Sequence, residues 1–344
     1  MRLDRIITLG LAEPIGRMLS HFPERNGRPP SYERTLPVLM YHSISDDPEP
    51  AFSPYYKVCT SRQRFAEQMQ WLNDAGWHGV ALTDGLGWLN EKENKEVNGE
   101  QLAFSIKQGE GRAGSAKHTM GFKVLPPAQG TLPTALSFKK PVAITFDDGF
   151  RDFHTAAFPE LHQLGFSATM YLPTAFIGEN RQKFKSRECL SWPEIRELTT
   201  EGIEFGSHTV NHPKLTELAW AEIEMELRDS RVNIEQHLGR SAPSFAYPYA
   251  FPRKAGEFAV RFREILAQSG YESCATTTIG RARTSDDRLQ IPRLPVNSGD
   301  DRALLNAKLN GAYDWLATPQ QVLKNFKRVR CDVGPTHQVA NPGE

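Results

Sequence analysis

The sequence predicts an α/β fold in which strands and helices alternate, most simply as a β/α barrel. Short apolar runs of strand length recur along the chain, and segments with helical periodicity separate them. Six or seven such strands are present, and two of them end abruptly at acidic or histidine residues, as catalytic groups do at the carboxyl ends of barrel strands. With 344 residues, the chain is long enough for one large domain with an insertion.

The first half of the chain contains three predicted strands, one helix and an insertion. Val38–Tyr41 has the composition of a strand, and a helical stripe of apolar residues follows until Gly76. Residues 77–82 are predicted as the next strand. From about residue 91 to 136 the chain is polar and glycine-rich, which indicates an inserted loop. Residues 142–146 resume the pattern as an apolar, β-branched strand.

The second half continues the alternation with clear start and stop signals. Ser191, with Pro193 in the first turn and Glu194 three residues on, predicts a helix start. A long helix with an aliphatic face is expected to end at Gly239. The other predicted elements are a helix ending at Gly165, strands at 166–172, 203–205, 244–247, 271–275 and 289–291, and helices at 257–268, from about 301, and from Thr318.

The ends of the chain differ in character from the predicted barrel. We expect an amphipathic segment at 1–36, the barrel domain at 37–330 with its insertion at about 91–136, and a flexible tail at 331–344. Apolar residues recur at helical spacing in the first twenty residues, with arginines between them. This stripe either docks on the barrel or lies on an anionic membrane surface through residues 1–20. No secretory signal pattern is present, so the sequence predicts a cytoplasmic location, peripheral to the inner membrane if the second alternative holds.

Charge and cysteine content exclude several classes of function. The 41 basic and 41 acidic residues cancel, so a broad field for nucleic acid is absent and no nucleic-acid partner is expected. The four cysteines are widely spaced and form neither a zinc ribbon nor a redox motif. No apolar run approaches the roughly 20 residues of a membrane span. The sequence does not indicate an oligomeric state.

Two motifs supply the residue types of a metal-dependent hydrolase. Asp147 and Asp148 follow the 142–146 strand, and His208 and His212 follow the 203–205 strand. A zinc-like ion takes three N or O ligands and leaves one position for water, and the hydrolase also needs a base that does not bind the metal. Asp148 and the two histidines suit the first role, and Asp147 suits the second. Zinc is the default ion for this donor set, with cobalt or nickel as alternatives.

Local geometry decides whether these groups converge. Adjacent strand residues point to opposite faces, so both carboxylates reach one site only if the chain turns at Asp148 and Gly149. Pro213 disfavours a helix at His212, so we expect a turn there that leads into a later helix. Taken singly, Asp-Asp-Gly is more often only a turn, and two histidines four apart often lie on the surface or in the core. Their shared position after strands favours a joint site.

At this point the chain resembles the polysaccharide deacetylases of the NodB-homology group, carbohydrate esterase family 4. The matching segments are Thr145–Gly149, Ser207–Pro213 and Ala246–Tyr249, and the resemblance extends from about residue 37 to 316. It implies an incomplete seven-stranded barrel, metal ligation by Asp148, His208 and His212, and Asp147 as the base. It also implies that Tyr249 donates its backbone N–H to the oxyanion.

Two departures from the family pattern lead to two further candidates. The usual arginine before the Pro-Tyr pair is absent, and so is the usual Leu-x-His that carries the acid. His42, at the end of the 38–41 strand, resembles the acid of the circularly permuted poly-N-acetylglucosamine deacetylase branch, although a packing role is the alternative. Arg293 either keeps the base charged or is a solvated charge beside a strand.

The resulting interpretation is metal-dependent N-deacetylation of N-acetylhexosamine units in an exopolysaccharide or its precursor, with an N-acetylated glycan as the partner. One alternative is an amidohydrolase of the same barrel that acts on a small non-carbohydrate amide. Another is a catalytically inactive glycan-binding homologue, which the two departures make conceivable and which the complete set of two aspartates and two histidines disfavours.

Overall fold

A parallel barrel forms the body of the protein. The computed structural model describes residues 3–14, 33–48, 57–91, 140–252 and 256–320. The sheet strands, in chain order, are β1 (Val38–Tyr41), β2 (His78–Val80), β3 (Pro141–Phe146), β4 (Thr169–Leu172), β5 (Glu204–Ser207), β6 (Ser244–Ala246), β7 (Ser273–Ile279) and β8 (Ile291–Pro295).

Seven of these strands form a closed ring, in the order β1-β3-β4-β5-β6-β7-β8. Closure occurs where β1 lies between β8 and β3, with Leu39 opposite Leu294 on one side and Ile144 on the other. All pairings in the ring are parallel, so the seven-stranded α/β barrel predicted from the sequence is confirmed. The additional strand β2 pairs only with the first half of β3, which leaves the second half of β3 to β4.

Helices surround the ring and run between successive strands. Their bounds are α1 (Leu3–Ile7, continued as a π-helical turn to Ala12), α2 (Arg62–Asp74), α3 (Leu82–Asn90), α4 (Phe158–Gln163, preceded by a π-helical turn at Phe153–Ala157), α5 (Trp192–Thr200), α6 (Trp220–Leu238), α7 (Glu257–Gln268) and α8 (Arg302–Leu309). Short 3-10 helices occur at Thr174–Phe176, Leu215–Glu217, Arg288–Gln290 and Asp314–Leu316. Two predicted boundaries are confirmed: Ser191 and Glu194 form a capping box, and Gly239 ends α6 in the left-handed conformation.

Apolar side chains fill the barrel and the layer beneath the helices. Every residue of β3 is buried, which explains why this strand reads as a continuous apolar run rather than an alternating one. Tyr41, Phe65 and Phe146 form an aromatic group between β1, α2 and β3, with ring centroids 5.3 to 5.9 Å apart. Burying one such ring contributes about 1.5–3 kcal/mol. The core therefore anchors the strands whose ends carry Asp147 and His42.

Several local elements differ from the sequence prediction. The 77–82 strand is shorter, because helix α3 already begins at Leu82. The sequence did not predict α3, which contains Gly85 and Gly87, residues that normally disfavour a helix interior. The sequence also did not predict a hairpin formed by Lys183–Phe184 and Arg187–Glu188, called the 183–188 hairpin below. Its turn residues, Lys185 and Ser186, have φ of 48° and 66°. Two-residue strands also occur at Thr35–Leu36, Ser43–Ile44, Cys59–Thr60 and Ala282–Arg283.

The start of the chain contacts the barrel mainly through polar groups. Tyr313 donates a hydrogen bond of 2.6 Å to the buried carboxylate of Asp4, and Arg5 binds Asp301 at 2.6 Å. The outward side chains Leu3 and Leu11 are 62% and 59% exposed. The first residues of the chain thus dock on the barrel, as one of the two alternatives predicted. These contacts are polar, whereas the prediction was based on a stripe of apolar residues. Ile15 and Met18 of that stripe, the 92–136 part of the insertion and the 331–344 tail lie outside the described residues.

Two further expectations concern membrane spans and cysteines. Among the helices that the structure describes, none combines the length and apolarity needed to cross a bilayer. Cys59, Cys189 and Cys274 are buried, and no disulfide joins these three described cysteines. Cys331 falls outside the described ranges.

Candidate active site

The turn after β3 separates the two adjacent carboxylates. Asp147 still follows the strand, because its N–H donates to the Tyr41 carbonyl at 3.0 Å. Asp148 and Gly149 then adopt positive φ of 75° and 64°. A Cβ at residue 149 would lie 3.2 to 3.4 Å from side chains that include Ile177 and Leu172, so glycine suits both the conformation and the space. The predicted turn is present, and both carboxylates face one pocket.

The second segment is a tight loop that starts where β5 ends. The His208 N–H donates to the Leu172 carbonyl at 2.9 Å, which continues the strand pairing by one residue. Thr209 and His212 then have φ of 70° and 54°, and the Thr209 hydroxyl accepts a 2.9 Å hydrogen bond from the His212 N–H. The carboxylate of Glu226 accepts from two further backbone N–H groups of the loop at 2.8 and 2.9 Å. The segment is therefore a turn before a helix, as predicted.

The three candidate ligands converge in a buried cluster. One ligand atom from each of Asp148, His208 and His212 lies within 4.8 Å of the other two. The Nε2 atoms of the histidines are 3.7 and 3.1 Å from Asp148 Oδ1, and all three residues are at most 6% exposed. This Oδ1 atom accepts no well-formed hydrogen bond from any described residue. A buried carboxylate oxygen facing two imidazole nitrogens fits a zinc-like ion.

The protonation states of the ligands also fit a cation. Burial lowers the pKa of His208 to about 4, so its imidazole is neutral at neutral pH. His208 Nδ1 lies 2.8 Å from the Ala246 carbonyl, which assigns the proton to Nδ1 and leaves Nε2 as a lone-pair donor. Burial by itself raises the pKa of the Asp148 carboxyl, but His212, whose Nε2 lies 3.1 Å away, and nearby positive groups hold this pKa well below its usual range. The cluster thus offers a metal ion the anionic carboxylate of Asp148 and the neutral imidazole of His208.

Arg293 holds the second carboxylate in place. Its Nη1 and Nη2 atoms donate to the two oxygens of Asp147 at 2.7 and 2.8 Å, and its Nε donates to the Thr276 carbonyl at 3.0 Å. The arginine is fully buried, so it is not a solvated charge beside a strand. Burial raises the pKa of the Asp147 carboxyl, but Arg293, together with His208 and His42, more than offsets this effect, and the pKa lies below its usual value. Asp147 is therefore an anion whose two oxygens are bound by Arg293, and it is not one of the three clustered ligands.

His42 lies on the other side of Asp147, at the end of β1. Its Nε2 is 3.9 Å from Asp147 Oδ2, and its side chain is 21% exposed. Burial lowers its pKa, although the negative charges of Asp147 and Asp148 oppose this shift. The imidazole therefore stands at the edge of the pocket with access to solvent.

Two more residues border the open side of the cluster. Tyr249 has φ of 58°, its side chain is 47% exposed, and its ring centroid lies 4.6 Å from that of His212. Lys185, at the turn of the 183–188 hairpin, places Nζ 3.1 Å from Asp148 Oδ2. Lys185 is not among the residues predicted from the sequence. The only local signal was a polar turn between two short β-like pairs, which does not reveal a contact with a residue in another segment.

Backbone strain is concentrated at this pocket. Six non-glycine residues in the described ranges have positive φ, and four of them are Asp148, Thr209, His212 and Tyr249. A non-glycine residue in this region costs on the order of 1 kcal/mol or more. Such conformations persist only where the surroundings enforce them, and here two of them belong to candidate ligands and one to Tyr249, whose ring contacts His212. This concentration is typical of a functional site.

Comparisons with known proteins agree with this geometry. Residues 137–274 match the family model for polysaccharide deacetylase. The chain is 26% identical over 264 residues to YxkH of Bacillus subtilis, whose name assigns it to the polysaccharide deacetylases, and the match covers 77% of this chain and 72% of that protein. It is 29% identical over 120 residues to a poly-beta-1,6-N-acetyl-D-glucosamine N-deacetylase of Staphylococcus aureus. That match covers 32% of this chain and 41% of the relative.

Solved structures share the fold. The deacetylase PplD of Streptococcus pyogenes superposes with a TM-score of 0.54 at 22% identity, covering 80% of this chain and 99% of PplD. IcaB of Ammonifex degensii superposes with a TM-score of 0.54 at 21% identity, covering 80% of this chain and 97% of IcaB. The family match includes both loops that form the pocket. Residues 137–274, which carry both loops of the pocket, thus match the polysaccharide deacetylase family, and YxkH resembles the chain over most of its length.

Proposed function

We propose that this protein is a metal-dependent polysaccharide N-deacetylase that removes acetyl groups from N-acetylhexosamine units of an exopolysaccharide or its precursor. The family supports the reaction, and the Staphylococcus aureus relative supports the sugar. The observation that carries the proposal is the separation of two neighbouring carboxylates. Asp148 faces two imidazoles, whereas Asp147 is held apart by Arg293.

The residues that would hold the ion are Asp148, His208 and His212. Their N, N and O donors suit Zn²⁺, which is the ion that we propose, with Co²⁺ and Ni²⁺ as substitutes. When bound, such an ion supplies a Lewis acid and a water of lowered pKa. Lys185 Nζ donates a hydrogen bond of 3.1 Å to Asp148 Oδ2, so a positive group already lies on this side of the pocket.

Asp147 is proposed to take the proton of the attacking water. It is anionic, and Arg293 fixes both of its oxygens, so its orientation is set before substrate binds. The same guanidinium lowers the pKa of the base. Activity should therefore persist to lower pH than it would with an unpaired carboxylate. This arrangement fills the role that the missing family arginine was expected to have.

His42 and Tyr249 are proposed to handle the two products of bond cleavage. His42 stands 3.9 Å from Asp147 and is the imidazole available to protonate the departing sugar amine. The backbone N–H of Tyr249 is proposed to stabilise the oxyanion, and the Tyr249 ring, whose centroid lies 4.6 Å from that of His212, places this residue beside the metal ligands. The similarity of His42 to the acid of the permuted branch remains a prediction.

Acetate release tests the proposal. The purified protein is incubated with β-1,6-linked N-acetylglucosamine oligomers, with other N-acetylated glycans and with small amides, each with and without chelator. We expect acetate from a glycan, loss of this activity with chelator, and recovery with Zn²⁺. Asp147→Asn is the matched variant, because it should retain bound metal and lose turnover. Acetate release from small amides alone would contradict the glycan assignment, and metal-free protein with full activity would contradict the mechanism.

A further inference from the structure

A second group of polar side chains lies next to the active site but outside it. It consists of Ser43, Asp152 and Arg187, which come from three separate segments, and is called the Ser43 cluster here. Ser43 is fully buried, and the side chains of Asp152 and Arg187 are 16% and 22% exposed. None of the three has a role in the reaction proposed above. Each of the three segments also carries a residue of the active site.

Asp152 connects the segment of the proposed acid to the segment of the proposed base. Its carboxylate accepts a short hydrogen bond from the Ser43 hydroxyl, and the Ile44 N–H is close enough to lower its pKa. Ser43 and Ile44 follow His42 directly in the chain. Asp152 itself lies in the turn that begins at Asp148. One carboxylate thus fixes the exit of β1 relative to the turn after β3.

Arg187 connects the 183–188 hairpin to the same point. Its Nη1 donates to the Ser43 hydroxyl at 2.9 Å and to Asp47 at 3.3 Å, and its Nη2 lies 3.0 Å from the Cys59 sulfur. The turn of this hairpin carries Lys185, which contacts Asp148. The Ser43 hydroxyl accepts from Arg187 while it donates to Asp152, and such chains of hydrogen bonds strengthen one another.

The Asp152 carboxylate in the Ser43 cluster lowers the stability of the fold compared with an apolar side chain. Burial raises the pKa of the Asp152 carboxyl, and its Oδ1 atom accepts no hydrogen bond within the described part of the chain. Arg187 lies 3.9 Å from Asp152 and offsets this effect only in part, so the largely buried carboxylate costs free energy that an apolar side chain at the same place would not. A functional gain therefore has to account for it. Fixing the spacing of a general acid is such a gain, because a 1 Å error in position costs about 100-fold in rate.

We propose that Asp152, acting through Ser43 and Arg187, is a positioning residue that sets the location of His42 relative to Asp147. The proposal rests on the proposed function for the role of His42 as acid. It predicts that loss of the Asp152 carboxylate affects proton delivery to the leaving group and leaves metal binding intact. The charged groups that face His42 are Asp147, Asp148, Lys185 and Arg293, and none of them is removed by this change.

The test compares Asp152→Ala with Asp314→Ala. Asp314 is a matched control, because its side chain is 19% exposed, close to the 16% of Asp152, its Oδ1 has no hydrogen bond among described residues, and Arg281 donates to its Oδ2 at 3.1 Å. We expect Asp152→Ala to lower kcat at least tenfold, with KM and zinc content within twofold of the wild type. The alkaline limb of its pH–rate profile should move, because a displaced His42 is better solvated. Asp314→Ala should leave both kcat and the alkaline limb of the pH–rate profile unchanged. Equal effects of the two substitutions, or an unmoved alkaline limb, would overturn the proposal.

A second variant and a second measurement keep the test independent of folding and of substrate choice. Ser43→Ala removes the hydroxyl that links the other two residues, and we expect the same shift of the alkaline limb with a smaller loss of kcat. Wild-type protein that releases no acetate refutes the proposed function. In that case the His42 pKa, measured by NMR in histidine-labelled protein, decides on positioning alone. It should rise toward 6.5 in Asp152→Ala, and an unchanged value contradicts the inference.

Discussion

The Arg293→Met substitution tests the proposed base most directly. It removes the guanidinium that binds both oxygens of Asp147 and replaces it with an apolar side chain of comparable length. Both partners are buried, so water does not replace the lost donors easily. The carboxylate is then left as a buried charge without its main partner, unless it takes up a proton.

The structure sets the size and sign of the effect. Breaking a buried ion pair by removing one partner costs about 3–5 kcal/mol, and one pKa unit corresponds to about 1.4 kcal/mol. We therefore expect the pKa of Asp147 to rise by roughly 2 units or more. Because the wild-type pKa is lowered, the stability that the pair contributes is present above about pH 4 and is lost as pH falls through the folded-state pKa. In Arg293→Met the folded-state pKa of Asp147 is expected to exceed its unfolded value. The buried, unpaired carboxylate then destabilises the fold increasingly as pH rises and Asp147 loses its proton.

Two measurements check the prediction. The acid limb of kcat/KM against pH should move upward by roughly 2 units, and urea unfolding at pH 4.5 and pH 7 should show the larger destabilisation at pH 7. Lys308→Met is the control, because Lys308 and Asp300 form a fully buried ion pair, 2.8 Å long, outside the metal cluster. It should lower stability without moving the acid limb. An unmoved acid limb in Arg293→Met refutes the view that Arg293 keeps Asp147 charged.

Three other predictions concern the acid, the cation side of the pocket and the metal. His42→Ala should lower kcat by about 100-fold or more while the zinc content stays unchanged, and a variant with near-normal turnover would exclude the acid role. Lys185→Met should tighten Zn²⁺ binding about fivefold in calorimetry, because an ammonium near the ligands repels a cation by about 1 kcal/mol in water. Equal affinity of the variant and the wild type would show that Lys185 moves away from the ligands without a cost in free energy. Adding Zn²⁺ at about 100 times its Kd should stabilise the chelated protein by about 2.7 kcal/mol, whereas His208→Ala should show little of this gain.

The sequence was sufficient to predict the barrel and the residues that meet at the carboxyl ends of its strands. Asp147 and His208 each follow a buried strand directly, and parallel strands bring such positions to one edge. The turn at Gly149 and the loop at His212 were also predictable, because glycine and proline restrict the backbone locally. These signals lie within a few residues of the side chains that they position.

The contacts that the sequence did not reveal join distant segments. Arg187 meets Ser43, and Asp152 meets Ser43, only because the ring brings β1 beside β3 and the hairpin over both. A single chain carries no periodic signal for such pairs. For Arg293 the sequence left two alternatives equal, since a basic residue beside a strand is compatible with either. Its complete burial is a property of the closed barrel and not of the local residues.

Closure of the ring by β1 has a consequence for how the protein acquires its active site during synthesis. The strand that ends just before His42 emerges from the ribosome before the other five barrel strands and before its neighbour β8, which carries Arg293. A nascent chain can fold the middle strands and gather both histidine ligands before β8 exists. The surroundings of the proposed acid, His42, and the arginine that binds the proposed base are completed together when β8 pairs with β1, and this long-range step is of the kind that folds slowly.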